Sequence, residues 1–369
     1  MKWTQLRWIV ILSAMLVLVA AACAPQAAAP AAESNGDTST APAEEAAAAD
    51  EGEAAAAEEA PAASGETVRQ AFGGGPVGGA YQTFANAMSL LMADADPNLD
   101  IAAEGTGGSA ANLRSVNSGD IDYGISYAGD LYLGRNGLLA DDPVEYTDVR
   151  AVAGLYGGVV HLVVRADSDI QTPQDLVGKR FAPGNAGSGA ALSAERFFKH
   201  LGIWDQINVE YLGYSQAASA LGDGQLDGFW VLAAFPNASV TEAATLTDIR
   251  LVDVGTTAEE SGFYEAFPFF SPRALLGGAF EGNPDDVPSF QDTAIWTANK
   301  DVPAELVYNA MNAVLSDAGL EDMRAAHPAA SEMGIESGVN GVPIPLHPGA
   351  AQFYEEHGVT IPEAAAPVE

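Results

Sequence analysis

One cysteine, Cys23, occurs in 369 residues, and Lys plus Arg number 15 against 50 Asp plus Glu. A lone thiol excludes an internal disulfide and any multi-cysteine metal site. The net charge of −35 excludes a nucleic-acid partner, because such a surface repels phosphate backbones. It suits a solvated surface on an extracytoplasmic protein. Catalytic signatures are as sparse as cations. The five histidines (161, 200, 327, 347, 357) show no metal-ligand spacing. There is no G-x-S-x-G elbow, and no glycine loop runs into the Gly-Lys-Ser/Thr of a phosphate loop. His161 sits in an apolar strand and reads as core, and Asp141-Asp142 and Asp285-Asp286 read as solvated turns. No catalytic residue, metal or cofactor is expected.

The apolar run WIVILSAMLVLV at 8–19 is short for a membrane span of roughly 20 residues. With Lys2 and Arg7 before it and Ala20–Ala22 after it, it has the form of a secretory leader over 1–22. Cys23 directly behind small residues resembles a lipobox, although Ala20 stands where Leu is commoner. Cleavage there would make Cys23 a lipidated N-terminus. Residues 24–65 hold nine acids, no Lys or Arg and no large apolar residue. Such a stretch cannot bury enough surface to fold. As a coil it is a tether reaching roughly 35–40 Å.

From Glu66 onward the sequence repeats a plan. Strand Thr67–Phe72, glycine loop 73–79, helix Ala80–Ala93, strand Leu99–Glu104, glycine loop 105–109 and helix Ala110–Ser118 lead into GDIDYGIS, a helix stop followed by a strand. Strand Lys179–Ala182, loop 183–189, helix Ala190–Leu201, strand Ile207–Leu212, loop 213–215 and helix Gln216–Leu221 lead into GDGQLDGFWVL, again a stop and a strand. SGDIDYGI is echoed by DGQLDGFWV. Two such units predict an α/β fold of two lobes, with helix N-termini at the carboxyl edges of the strands. VVHLVVRADSDI (159–170) is one crossover strand and AIWTANK (294–300) the return. The expected limits are 66–164 plus about 295–369 for lobe 1 and about 165–294 for lobe 2. A helix at Ala304–Asp317 and a Pro-rich passage, 341–358, ending in a short helix complete the first lobe.

Gly105-Thr-Gly107-Gly108-Ser109-Ala110 matches the dinucleotide fingerprint by letters. It follows the second strand of its unit, however, and lacks an acid about 20 residues on that is free of the helix stop. Several glycine loops at helix N-termini in matched positions instead point to a cleft for a small anion, seated by free N–H groups and helix dipoles. Ser109, Asn112, Ser126, Asn185, Ser188 and Asn237 can add neutral hydrogen bonds. Tyr81, Tyr127, Tyr156 and Phe235 can form walls. Arg114, one turn into its helix, either reaches the cleft or makes a surface ion pair.

Three runs, GTGGSAANLRSVNSGDIDYGISYAGD, LYGGVVHLVVRADSDIQTPQDLVGKRFAPGNAGSGA and EYLGYSQAASALGDGQLDGFWVLAAFPNASVTEAATLTDIRLV, together with HPAASEM and GVPIPLHPGAAQFYEEHG, resemble the TAXI subfamily of solute-binding proteins. These serve tripartite ATP-independent periplasmic (TRAP) transporters, and the resemblance spans roughly 66–361. It implies a periplasmic-binding-protein-like type II fold with two crossover strands. It further implies capture of a glutamate-like amino acid or 2-oxo dicarboxylate and delivery to an ion-gradient-driven permease, by a lipid-anchored monomer without enzymatic activity. The matching loops place Gly79 and Tyr81, Gly107, Gly108 and Ser109, and Ser126, Tyr127 and Asp130 in the site. They add Tyr156, then Asn185, Gly187, Ser188 and Gly189, and finally Ala233, Phe235, Pro236 and Asn237. The chain departs from the family pattern at Pro76-Val77, Tyr127–Asp130 and Ala190. An ABC-importer or sensory-kinase binding protein of the same fold is the alternative, and a lipid-anchored enzyme a more distant one.

Overall fold

The computed structural model describes residues 66–76, 79–140 and 142–368. Cys23, the leader, the tether and Val77 lie outside these residues. The first lobe holds β1 (Val68–Gly73), α1 (Ala80–Ala95), β2 (Leu99–Glu104), α2 (Ser109–Ser118), β3 (Tyr123–Tyr127) and α3 (Ala128–Arg135), and runs into β4 (Val149–Arg165). The second holds β5 (Arg180–Ala182), α4 (Gly189–His200), β6 (Asn208–Val209), α5 (Tyr214–Gly222), β7 (Gly228–Ala233), α6 (Ala238–Leu246), β8 (Ile249–Val252), α7 (Gly255–Glu260), α8 (Phe263–Ala266) and β9 (Ser271–Pro272). Strand β10 (Phe290–Asn299) returns to the first lobe, where α9 (Ala304–Val314), α10 (Asp317–Ala326) and α11 (Pro348–Glu356) follow.

Among the described residues the strands form one mixed sheet in the order β2-β1-β3-β10-β4-β7-β5-β6, with β8 also on β4 and β9 on β10. In one lobe β1 lies parallel between β2 and β3, and in the other β5 lies parallel between β6 and β7. The repeated sequence unit is thus a repeated β-α-β-α-β unit, and the fold is the two-lobed α/β arrangement with two crossover strands. Strand β4, antiparallel to both β10 and β7, is nonetheless buried on both faces, so it reads as an apolar run without alternation. Only Arg165 of its 17 residues is not buried.

The crossover is built on bare backbone. Strand β4 pairs with β10 over its first part and with β7 over Val159–Val164. A Cβ on Gly158 would come 2.5 Å from the Tyr127 ring, so glycine there lets that ring approach the strand backbone closely. Two register shifts in the β10–β4 ladder, at Ala294/Ile295 and Trp296/Thr297, leave Leu155 and Val152 of β4 as extra residues.

The single helix expected over 304–317 is two helices. The first ends at Val314, and Ser316 caps the second by accepting the Gly319 N–H at 2.9 Å. Gly319 allows the close turn, since a Cβ there would strike the Ala313 carbonyl. The strand expected over 207–212 is paired only at Asn208–Val209. The Pro-rich passage docks on β4, where the Ala151 N–H donates to the Pro345 carbonyl and the His347 N–H to that of Ala151.

Candidate functional site

The N-termini of α1, α2 and α4 meet at one small cavity between the lobes. Helix α1 starts at Gly79 and α2 at Gly108, and neither N-cap has a side chain to bond the first-turn amides. Those N–H groups are left without a side-chain partner, at the positive end of each helix. Gly108 has φ 96° and ψ −152°, a conformation essentially reserved for glycine. Thr106 fixes this loop, accepting the Gly108 N–H at 3.1 Å and donating to the Gly74 carbonyl at 3.0 Å. From the second lobe, Ser188 caps α4 by accepting the Ala191 N–H, which leaves the amides of Gly189 and Ala190 at the cavity wall.

Four tyrosines close the space. Tyr127 and Tyr214 both donate to the Leu232 carbonyl, at 2.8 and 2.9 Å, so Tyr127 ties its lobe to the other. The hydroxyls of Tyr81 and Tyr156 are buried and have no hydrogen-bond partner among the described residues. Burial pushes the phenols of Tyr81, Tyr127 and Tyr156 well above the ordinary tyrosine value. They remain protonated donors at any physiological pH. The cavity itself is about 30 Å³, room for a water or two. An organic ligand needs a pocket of roughly 300 Å³ or more, so the lobes must part to admit one.

The charges sit beside the cavity, not in its wall. Asp130 is fully buried, accepts the Ser109 hydroxyl at 2.6 Å and pairs with Arg196 of α4 at 2.6 Å. Asp292 accepts the Gly129 N–H at 3.2 Å. Burial, and then the neighbouring Asp130 charge, raise the Asp292 carboxyl well above the carboxylate range.

A family model describing the NMT1-like family matches residues 72–358, most of the chain and every element that builds this cavity. The protein is a member of the NMT1-like family. Solved structures similar to this family member include the malate-bound MatC of Rhodopseudomonas palustris, at 17% identity and TM-score 0.49 over 78% of this chain and 96% of that one. Others are the alkanesulfonate-binding protein SsuA of Xanthomonas axonopodis pv. citri bound to MOPS (17%, 0.41, 73% and 83%) and a TctC solute-binding protein from Polaromonas (17%, 0.43, 71% and 87%).

The residues expected at the site fall into two groups in this NMT1-like chain. Gly79, Tyr81, Gly108, Ser109, Tyr127 and Tyr156 line the cavity from one lobe, and Asn185, Ser188, Gly189 and Ala233 from the other. The rest surround it. Asn112 donates to the carbonyls of Gly73, Gly74 and Ile125, and Ser126 to that of Ser109. Asn237 caps α6, accepting the N–H groups of Ser239 and Val240. Phe235 stacks on His161 next to a cis peptide bond with Pro236. Gly107 and Gly187 shape their loops, Gly187 at φ 72°. Arg114 makes a two-point contact with Asp142 at 2.9 and 2.6 Å and takes the surface role. His161 is buried, and desolvation lowers it to about 4, which fits its reading as core. Residues that sequence reasoning passed over are Tyr214 and Leu232 in the wall and Arg196 and Asp292 behind it. Tyr214 carried a signal, since it opens the second lobe's second helix as Ser109 opens the first lobe's. Arg196 and Asp292 carried none.

Proposed function

We propose that the protein is an extracytoplasmic solute-binding receptor of the TAXI type, anchored by a lipid at Cys23. It captures a small organic anion and delivers it to a TRAP permease. A glutamate-like amino acid or 2-oxo dicarboxylate is the ligand class, and no bond is made or broken. The lobe limits 66–164 plus about 295–369 and about 165–294 belong to this reading. One observation carries it: two uncapped helix N-termini and two unpartnered tyrosine hydroxyls of the first lobe converge on one cavity, which the N-terminus of α4 closes from the second. Every one of these groups is a donor. Donors of this kind suit the acceptor oxygens of a carboxylate. The cavity wall includes no carboxylate or basic side chain among the described residues, which leaves a catalytic acid or base without a candidate beyond the tyrosines.

Binding energy must favour the closed state over the open one, and a ligand that bridges both lobes supplies that difference. Calorimetric titration with dicarboxylates, 2-oxo acids and acidic amino acids tests the reading. Saturable binding of at least one, with the ligand recovered unchanged, is expected. Silence across the whole set would sink it.

A further inference from the structure

A buried ion pair joins the lobes behind the cavity wall. Asp130 is the third residue of α3, in the first lobe, and its side chain is wholly buried. Arg196 lies in the middle of α4, in the second, and its side chain is 11% exposed. The free oxygen of the Asp130 carboxylate takes the Ser109 hydroxyl, and a Cβ on Gly189 would stand 3.1 Å from that oxygen. A carboxylate thus occupies the place where the N-termini of α2, α3 and α4 come together. It draws on the same helix field that the adjacent cavity offers to a ligand. Left uncompensated, its charge would oppose any anion bound next to it.

The bonds continue in both directions. The Ser109 hydroxyl oxygen accepts the Tyr127 N–H at 2.8 Å, and the Tyr127 hydroxyl reaches Leu232 in the other lobe. Arg196, Asp130, Ser109 and Tyr127 therefore form a chain that crosses the cleft at each end. We infer that Arg196 is a positioning residue for ligand capture. By pairing with Asp130 it cancels the carboxylate's charge, so that the helix ends act on the ligand, and it holds Ser109 and Tyr127 in the closed arrangement. The inference rests on the reading of the cavity as an anion site.

Four full-length proteins test it: wild type, R196Q, R196K and D130N/R196Q. Two probes, 2-oxoglutarate and L-glutamate, are titrated by calorimetry, and amide exchange over residues 128–135 and 189–200 is followed without either. R196Q is expected to weaken both probes, by at least about tenfold for the doubly charged 2-oxoglutarate and less for L-glutamate. Its two segments should exchange faster than in wild type. The neutral pair D130N/R196Q should return 2-oxoglutarate to within about threefold of wild type, because no buried charge is left unpaired. R196K keeps the charge but not the guanidinium's shape, and should fall between wild type and R196Q. An R196Q protein that matches wild type in affinity and exchange overturns the inference. So does a neutral pair as impaired as the single variant. Should R196Q fail to fold, the neutral pair decides alone: folding and binding support the inference, and failure overturns it. If wild type binds neither probe, the ligand class falls, while the exchange comparison still decides whether the pair holds the lobes.

Discussion

Replacing Gly189 by alanine should separate lobe closure from folding, because the two respond with opposite sign. Gly189 is the first residue of α4, and the three nearest obstacles to a Cβ all belong to the other lobe: the Tyr127 ring at 2.5 Å, the Ser109 Cβ at 2.9 Å and Asp130 Oδ2 at 3.1 Å. The first two distances cannot be tolerated, and neither neighbour is a flexible chain end. Tyr127 is pinned by its hydroxyl bond and Ser109 by three bonds of its own. Overpacking of this kind costs roughly 1–3 kcal/mol. Borne by the closed state alone, that cost corresponds to a loss of about 5- to 150-fold in ligand affinity. Gly189 has no left-handed φ, so alanine fits the local backbone. Its smaller unfolded-state entropy should stabilise the open protein by about 0.4–1 kcal/mol. Calorimetry for affinity, with thermal unfolding of the ligand-free protein alongside, reads both effects. A G189A protein with undiminished affinity would refute the idea that these surfaces meet in the liganded state.

Tyr156→Phe should act on the ligand alone. It deletes an unpartnered buried hydroxyl, leaving the ligand-free melting point unchanged or slightly raised, while affinity for a carboxylate falls by about 1.5–3 kcal/mol, as expected for a bond to a charged acceptor. Asn112→Ala should do the reverse. Three carbonyls lose their donor, so stability falls by roughly 2–4 kcal/mol in urea unfolding, and the stabilising increment from ligand persists. Asp292→Asn should alter the pH profile of stability. The folded carboxyl keeps its proton where the unfolded one has lost it, so in the wild type this group's contribution declines as pH rises from about 4 toward the raised folded value, at no more than about 1.4 kcal/mol per unit. Asparagine does not titrate, and its oxygen can still accept the Gly129 N–H. The variant should therefore gain on the wild type as pH rises between 4.5 and 7.5, and a constant offset would contradict the assignment.

What the sequence made legible is what local chemistry decides. The strand Leu99–Glu104 and the start of α1 at Ala80 coincide with the expected limits, because glycine loops punctuate them and apolar spacing defines them. The echo at 118–125 and 223–231 identified the repeated unit, since each copy needs the same helix stop before a buried strand. Helix α3 went unread: AGDLYLGR is short and carries glycine at 129 and 134, and α3 is held by packing against β10 and α2. The site was legible as residue types but not as directions. Asn112, Ser126 and Asn237 are suitable hydrogen-bonding residues near the cleft, and only the folded backbone shows that the Asn112 amide nitrogen, the Ser126 hydroxyl and the Asn237 amide oxygen are taken by main-chain groups. Arg196 and Asp292 meet the first lobe across 66 and 163 positions of sequence, a separation at which no local pattern carries information.

The loop GTGGSA shows why matching letters carry so little chemistry here. In a dinucleotide site the glycines admit a pyrophosphate to the helix end. Here the glycine that matters most, Gly108, is required by its φ of 96°, and a Cβ on it would lie at ordinary contact distance, 3.5 Å from Pro76 of its own lobe and 3.8 Å from the Ser188 side chain of the other. The residue that opens the helix, Ser109, uses its hydroxyl on Asp130 and its carbonyl on Ser126. The space before Gly108 is shared by Pro76 and by a second helix N-terminus, that of α4. Two positive helix ends held this near each other repel, and the arrangement is stable only with negative charge between them. Asp130 supplies one such charge permanently, and Arg196 offsets it. A ligand carboxylate would supply the other, and only when it is bound, which makes the closing of the lobes answer to the ligand's charge as well as to its shape.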